Sequence, residues 1–248
     1  MIKGKMNWKK LTSLNACDNS ANTKLFNRIK TKEIVAIYKP KGWHSFRVVS
    51  FLRKKLNIKK IGFLGTLDPA AEGILALGLN NGTKKLKDLP RDKEYIAEIA
   101  FGLKSDTWDL ETKNLKFTKF PKINKNNIEE LLKQFLGKIE QPIPMFSAKQ
   151  IDGTRLYKLA RAGKMLKKLP TKIVQIKEVK LLKISKQNIQ NHLLPTIKIL
   201  VSCGPGTFIR SIAYELGQKL KTNATLISLI RTQDGGFGLK DSFRIEEL

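Results

Sequence analysis

This sequence predicts an α+β fold, on three observations. Strand-like and helix-like segments follow one another without the regular βαβ spacing of a doubly wound sheet. The 248 residues are 41% apolar and include 12 Phe, enough to bury a core. Residues 32–248 hold no internal repeat and no linker rich enough to divide them.

Taken in order, residues 1–31 are Lys- and Asn-rich without sustained periodicity and read as a basic, poorly ordered extension. Ile34–Tyr38 is a buried-strand candidate ended by the turn Lys39-Pro40-Lys41-Gly42. Phe46, Val48, Val49, Phe51, Leu52 and Leu56 recur at helical spacing, with Ser45 as the predicted N-cap. Asp68-Pro69 then stands at a turn, placed as N-cap and N1 of a helix opening the apolar segment Ala70–Leu79. Tyr95, Ala97, Ile99 and Phe101 alternate along a strand with one apolar face. Asn127–Leu136 is an amphipathic helix stopped at Gly137. The turn-rich stretch Gln141–Gly153 leads into a helix near Arg155–Ala162. Strands around Ile173–Ile184 and Thr196–Ser202, the loop Cys203–Gly206 and a helix over Ile209–Leu220 complete the order.

Charge is the strongest compositional signal. Lys plus Arg number 48 against 21 acids, a net charge of +27. Such a balance points to a polyanion, most simply nucleic acid. Only 9 of the 48 are Arg, so a coding bias that inflates Lys, Asn and Ile stands as the alternative reading. Cys17 and Cys203 are the only cysteines and His44 and His192 the only histidines, none at ligand spacing. A disulfide framework, a Cys-based zinc site and other metal sites are therefore not expected. No apolar run approaches the ~18 residues of a spanning helix, and no signal-peptide core opens the chain. A soluble, cytoplasmic protein without membrane contact is expected.

Gly78-Leu79-Asn80-Asn81-Gly82-Thr83-Lys84 lacks the spacing of a phosphate loop, and Gly204-Pro205-Gly206 is too short for a dinucleotide fingerprint. No cofactor is expected. Asp68 read alone is a helix cap. Arg210, at the head of a helix, is either a surface residue or a bidentate partner for a carboxylate. Tyr95 and Phe208 are either core aromatics or rings on which an extruded base stacks. Asp106, Asp109 and Glu111 read as solvated turn residues.

These residues fall into a larger pattern. Gly62-Phe63-Leu64-Gly65-Thr66-Leu67-Asp68-Pro69-Ala70-Ala71-Glu72-Gly73-Ile74-Leu75 closely resembles the catalytic motif of TruB-type tRNA pseudouridine synthases. Lys39-Pro40-Lys41-Gly42 with Ser45, and Lys93-Glu94-Tyr95, resemble two further motifs of that family. Gln141–Lys149 with Gly153, Tyr157, Ala160 and Arg161, then Gly206–Arg210, then Leu229-Ile230-Arg231, follow in family order.

The resemblance implies a pseudouridine synthase catalytic fold over residues 32–248, with a mixed, mostly antiparallel sheet flanked by helices. It implies an RNA-pinching insertion at about 142–172, carrying Lys164, Lys167, Lys168 and Lys172, and no C-terminal PUA domain after Leu248. Asp68 would be the nucleophile toward C1′ or C6 of a flipped uridine, at position 55 of the tRNA T-arm. Arg210 would orient it and Tyr95 would stack on the base and assist removal of the C5 proton. Phe208, Leu229, Lys39 and Lys149 would contact substrate. Phe63 stands where the family has His, and would fill the space left by the flipped base. Tyr38 replaces a usual acidic residue, and nothing in the sequence accounts for it. A monomer with no obligate protein partner is expected. Two other readings stay open: a non-catalytic tRNA-binding or tRNA-folding module on the same scaffold, and a synthase for another RNA.

Overall fold

The structure, a computed structural model, describes residues 19–112 and 114–248. Its elements run α1 (Asn19–Lys30), β1 (Ile34–Lys39), α2 (Ser45–Leu56), β2 (Ile61–Phe63), β3 (Glu72–Leu79), α3 (Gly82–Lys85), β4 (Lys93–Phe101), β5 (Leu103–Ser105) and β6 (Leu115–Phe117). There follow α4 (Lys125–Lys133), β7 (Gly137–Pro142), β8 (Gln150–Ile151), β9 (Thr154–Arg155), α5 (Leu156–Arg161), β10 (Thr171–Ile189) and β11 (His192–Cys203). The last are α6 (Ile209–Lys219), β12 (Ala224–Asp234), β13 (Phe237–Gly238) and β14 (Ser242–Arg244).

One ten-stranded sheet takes the order β14-β1-β3-β12-β4-β11-β10-β7, with β13 beside β12 and β2 beside β3. Only β1–β14 and β3–β12 are parallel, so the sheet is mixed and mostly antiparallel, as the sequence predicts. No described helix is long and apolar enough to cross a membrane.

The alternation along β4 is real. Tyr95, Ala97, Ile99 and Phe101 are all buried, packed with Ile199 and Val201 of β11 and with Ile212 and Leu216 of α6. Burying each such aliphatic or aromatic side chain contributes about 1.5–3 kcal/mol. A second core joins Val48, Val49, Leu52 and Leu56 of α2 to Ile37 of β1 and Leu75 and Leu77 of β3. Leu25, Phe26 and Ile29 of α1 pack there too, so residues 19–30 form a docked helix, not an unstructured extension. Three apolar residues make too short a stripe to stand out against the surrounding Lys and Asn. The rest of that extension, residues 1–18, lies outside the described residues.

Two local expectations are corrected. Ser45 is the first residue of α2, not its cap; His44 holds the cap position without a side-chain bond. Asp68 caps no helix, because Pro69 and Ala70 form a turn and Glu72–Leu79 is a strand. Every residue from Gly73 to Leu79 is buried, and a segment buried on both faces has no alternation to reveal it as a strand.

Gly73 is where this strand meets β12. Its φ is +115°, and a Cβ would lie 2.6 Å from the Arg231 amide nitrogen and closer still to that residue's carbonyl oxygen. Only Glu72 and Gly73 pair with β12, at Ile230 and Arg231, so the parallel junction depends on that approach. Gly73→Ala is expected to lower stability by about 3 kcal/mol, from backbone strain and forced separation of the strands. Urea unfolding measures this, and an unchanged midpoint would show that β3 and β12 separate freely.

Candidate active site

Asp68 sits in the loop between β2 and β3, and four contacts fix the backbone around it. Ser45 Oγ accepts from the Leu67 amide at 2.9 Å and donates to the Leu67 carbonyl at 3.1 Å. The Gly42 amide donates to the Pro69 carbonyl at 2.7 Å. The Ala70 amide donates to Glu111 Oε1 at 2.9 Å. Lys39, fully buried, donates from Nζ to the carbonyls of Ala71 (2.5 Å), Trp43 (2.7 Å) and Pro40 (3.0 Å). Sequence reasoning placed Lys39 against substrate; with no exposed surface, it instead anchors the loop that carries Asp68. Burial and the neighbouring Arg231 lower its ammonium to about 8, against an upward pull from Asp68, Glu72 and Glu111.

The Asp68 carboxylate is left 40% exposed, and Arg210 Nη2 lies 3.0 Å from its Oδ2. Arg210 is the second residue of α6, where the helix dipole disfavours a cation. Four groups offset that cost. Besides Asp68, Nη1 donates to the Thr107 carbonyl at 3.0 Å and Nη2 to the Phe146 carbonyl at 3.2 Å. Nε stands 3.5 Å from Asp109 Oδ2. The guanidinium is thereby buried and oriented, not a surface residue.

Asp109 is therefore not a solvated turn residue, whereas Asp106 and Glu111 are exposed turn residues as read. Asp109 is buried, with Thr107 Oγ1 donating to its Oδ1 at 2.6 Å and the Glu111 amide at 2.9 Å. Partial burial raises the Glu111 carboxyl above its ordinary value, the Ala70 amide opposing and the Asp109 and Asp68 charges adding to the rise. Nothing in the local sequence marks Asp109, because its partner Arg210 stands on α6, some hundred residues away.

Beside Asp68 opens a cleft of about 390 Å³, lined among others by Tyr95, Lys149, Phe208, Arg210 and Leu229. Six of the eight residues singled out in the sequence thus meet at one place. Lys39 lies beneath it. Phe63, on β2, is not among the lining residues; it packs against the core built on α2. Tyr95 is buried, and that burial pushes its phenol up to about 12, with Arg231 pulling the other way. Below it a buried network joins Lys93 Nζ to Asp234 Oδ1 (3.3 Å) and Arg231 Nη2 to Asp234 Oδ2 (3.1 Å). A second hollow of about 430 Å³ shares Asp68, Arg210 and Leu229 and reaches Lys41, His44 and Arg161. Among the described residues no cluster of three or more His, Cys, Asp or Glu could hold a metal.

Two loops bring α6 to the cleft. Gln141, buried at the end of β7, accepts the Phe208 amide at 2.8 Å on Oε1, and Ser211 Oγ donates to the Pro142 carbonyl at 2.7 Å. The segment 142–172 therefore starts from a joint fixed to the head of α6. It holds the β8–β9 hairpin and α5, packed around Ile143, Met145 and Leu156, with Phe208 against them.

Comparison with known proteins agrees with this geometry. The model of the TruB family pseudouridylate synthase N-terminal domain matches residues 53–209. A "tRNA pseudouridine synthase B" of Trichormus variabilis is 39% identical over 210 residues, 85% of this chain and 70% of the relative. That of Carboxydothermus hydrogenoformans is 40% identical over 215 residues, 86% and 73%. That of Protochlamydia amoebophila is 40% identical over 222 residues, 87% and 79%. Among solved structures, a chain of a Cbf5-Nop10-Gar1 complex superposes with a TM-score of 0.64 at 24% identity. It is covered over 52% of its length by 86% of this chain, so this chain spans about half of it, and the likeness is one of fold. A family model over more than half the residues, and relatives near 40% identity over more than four fifths of them, coincide with the cleft around Asp68: the chain belongs to the TruB family of pseudouridylate synthases.

Proposed function

We infer that this chain isomerises a uridine of tRNA to pseudouridine, with Asp68 as the reacting carboxylate. The observation that carries the reading is that carboxylate: half open to solvent, held by Arg210, at the edge of a cleft lined by Tyr95, Phe208 and Leu229. The cleft's volume falls in the range of small-molecule sites. The names of the 38–40% identical relatives supply the substrate, tRNA.

The chemistry balances without an oxidant or reductant. The N1–C1′ bond breaks and a C1′–C5 bond forms; C5 loses a proton and N1 gains one. A carboxylate nucleophile divides this change into two substitutions, by attack at C1′ or by addition at C6. Arg210 keeps the Asp68 carboxylate aimed. Tyr95 and Phe208 offer rings to the extruded base, each stacking contact being worth about 1–3 kcal/mol. With its phenol raised to about 12, Tyr95 is protonated at neutral pH, so it acts through its ring and hydroxyl and not as a standing base. A nucleotide has to leave its stack to reach Asp68, so base flipping is part of the reading. Lys149 and Lys172 lie at the cleft or its rim, and with Lys164, Lys167 and Lys168 they give residues 142–172 the charge to hold an RNA stem. The target assigned is the T-loop uridine, position 55.

Three outcomes are expected. Cellular tRNA from a strain lacking this gene should lose the CMC-dependent primer-extension stop at position 55; a persisting stop removes that assignment. Asp68→Asn should abolish single-turnover tritium release from uracil-labelled tRNA while binding stays within a few fold. Release at the wild-type rate would leave only an RNA-binding role. Arg210→Lys should slow release by about 100-fold, because one ammonium cannot span Asp68, Asp109 and the Thr107 carbonyl. A loss of less than threefold would show that the guanidinium fork is not required.

A further inference from the structure

Trp108 takes no part in the cleft, yet its backbone is the unusual one of this region. Its φ is +62°, a left-handed conformation that bulky residues rarely adopt. The residues on either side, Thr107 and Asp109, are the two that grip Arg210 from the β5–β6 turn. The left-handed residue between them lets the Thr107 carbonyl and the Asp109 carboxylate reach the same guanidinium. A turn of this shape needs something to hold it.

The Trp108 ring stacks on Tyr214, centroids 4.2 Å apart and planes 10° from parallel. Tyr214 stands on α6 four residues after Arg210, and so on the same helical face. Neither ring is a member of the apolar cores built on α6 and α2. The Trp108 carbonyl accepts the Leu226 amide at 3.0 Å, which ties the turn to β12 three residues before Leu229 of the cleft.

We propose that the Trp108–Tyr214 stack is a positioning clasp for catalysis: it fastens the strained Thr107–Asp109 turn to the helix that carries Arg210, and so fixes the carboxylate and carbonyl that aim this guanidinium at Asp68. The clasp rests on the reading of Asp68 as the reacting group. Trp108 and Tyr214 touch no substrate, and they act through Asp109 and Arg210 alone.

The test uses the full chain and an unmodified tRNA transcript. Trp108→Ala and Tyr214→Ala should each lower the single-turnover rate at saturating tRNA about tenfold, with half-saturation moved less than twofold. The double variant should be no slower than either single one, since both remove the same contact. Tyr214→Phe, which keeps the stacked ring, should restore the rate to within twofold of wild type. Trp108→Phe serves the same purpose if the alanine variant does not fold. Unchanged rates at saturation, additive losses, or a Tyr214→Phe variant as slow as Tyr214→Ala would each overturn the clasp.

A second readout is independent of turnover. The Arg210 Nε–H, shielded beside Asp109, should exchange with water at least tenfold faster in Tyr214→Ala than in wild type, followed by 15N-detected NMR. Equal exchange would overturn the clasp whatever the substrate is. Wild-type protein inactive on tRNA, with faster exchange in the variant, would sink the tRNA reading and leave the clasp standing.

Discussion

One buried cation organises the site. Arg210 stands at the head of α6, where the helix dipole works against it, and it is denied water. A guanidinium in that position persists only if its donors are met. Here they are met by Asp68, Asp109 and the carbonyls of Thr107 and Phe146. Those four partners come from three separate stretches of chain. Pairing the arginine therefore draws the β2–β3 loop, the β5–β6 turn and the segment after β7 to one point. Asp109 is as deeply buried as Arg210, while Asp68 remains 40% exposed. The charge is thus met by a buried carboxylate on the inner side and by a partly exposed one, the proposed nucleophile, on the outer side.

The loop around Asp68 is held with comparable thoroughness, by backbone and not by its carboxylate. Ser45 engages both polar groups of Leu67, Glu111 takes the Ala70 amide, and Lys39 ties Ala71 to the turn after β1. None of these touches the Asp68 side chain. This division leaves Arg210 to orient the carboxylate while the backbone contacts fix the loop that carries it. Gly73 contributes from the other side, where its missing Cβ lets β3 close on Arg231.

Much of the fold was legible in the sequence, and the failures share a cause. The period-two pattern of β4 and the helical stripe of α2 are local properties, and both segments fold as read. Asp68-Pro69-Ala70 carries the signals of a helix start, but Gly73 through Leu79 is buried on both faces, a condition set by the α2 core against Leu75 and Leu77 and by Leu64 and Leu86 against Ala76, and not by adjacent residues. Within the site, Asp68, Arg210, Tyr95, Phe208, Leu229 and Lys149 were identifiable because their motifs recur in a known order. Lys39 was identified too, but its role was not: only the fold shows that three carbonyls close over its ammonium. Asp109 went unread because a carboxylate in a polar turn looks the same whether or not a distant arginine pairs with it.

The net charge of +27 hides two electrostatic systems that work by different rules. Lys39, Lys93, Arg210 and Arg231 are buried and matched to carbonyls or to Asp68, Asp109 and Asp234. Their interactions act at contact distance in a medium that salt scarcely enters. The other described lysines stand mostly in solvent, where attraction to a polyanion is long-ranged and weakens as salt rises. The first system holds the carboxylate proposed to react; the second suits the gathering of a polyanionic substrate. Surface lysines can accordingly be gained or lost without disturbing the chemistry. The four interior cations are instead each held by two or more partners at contact distance.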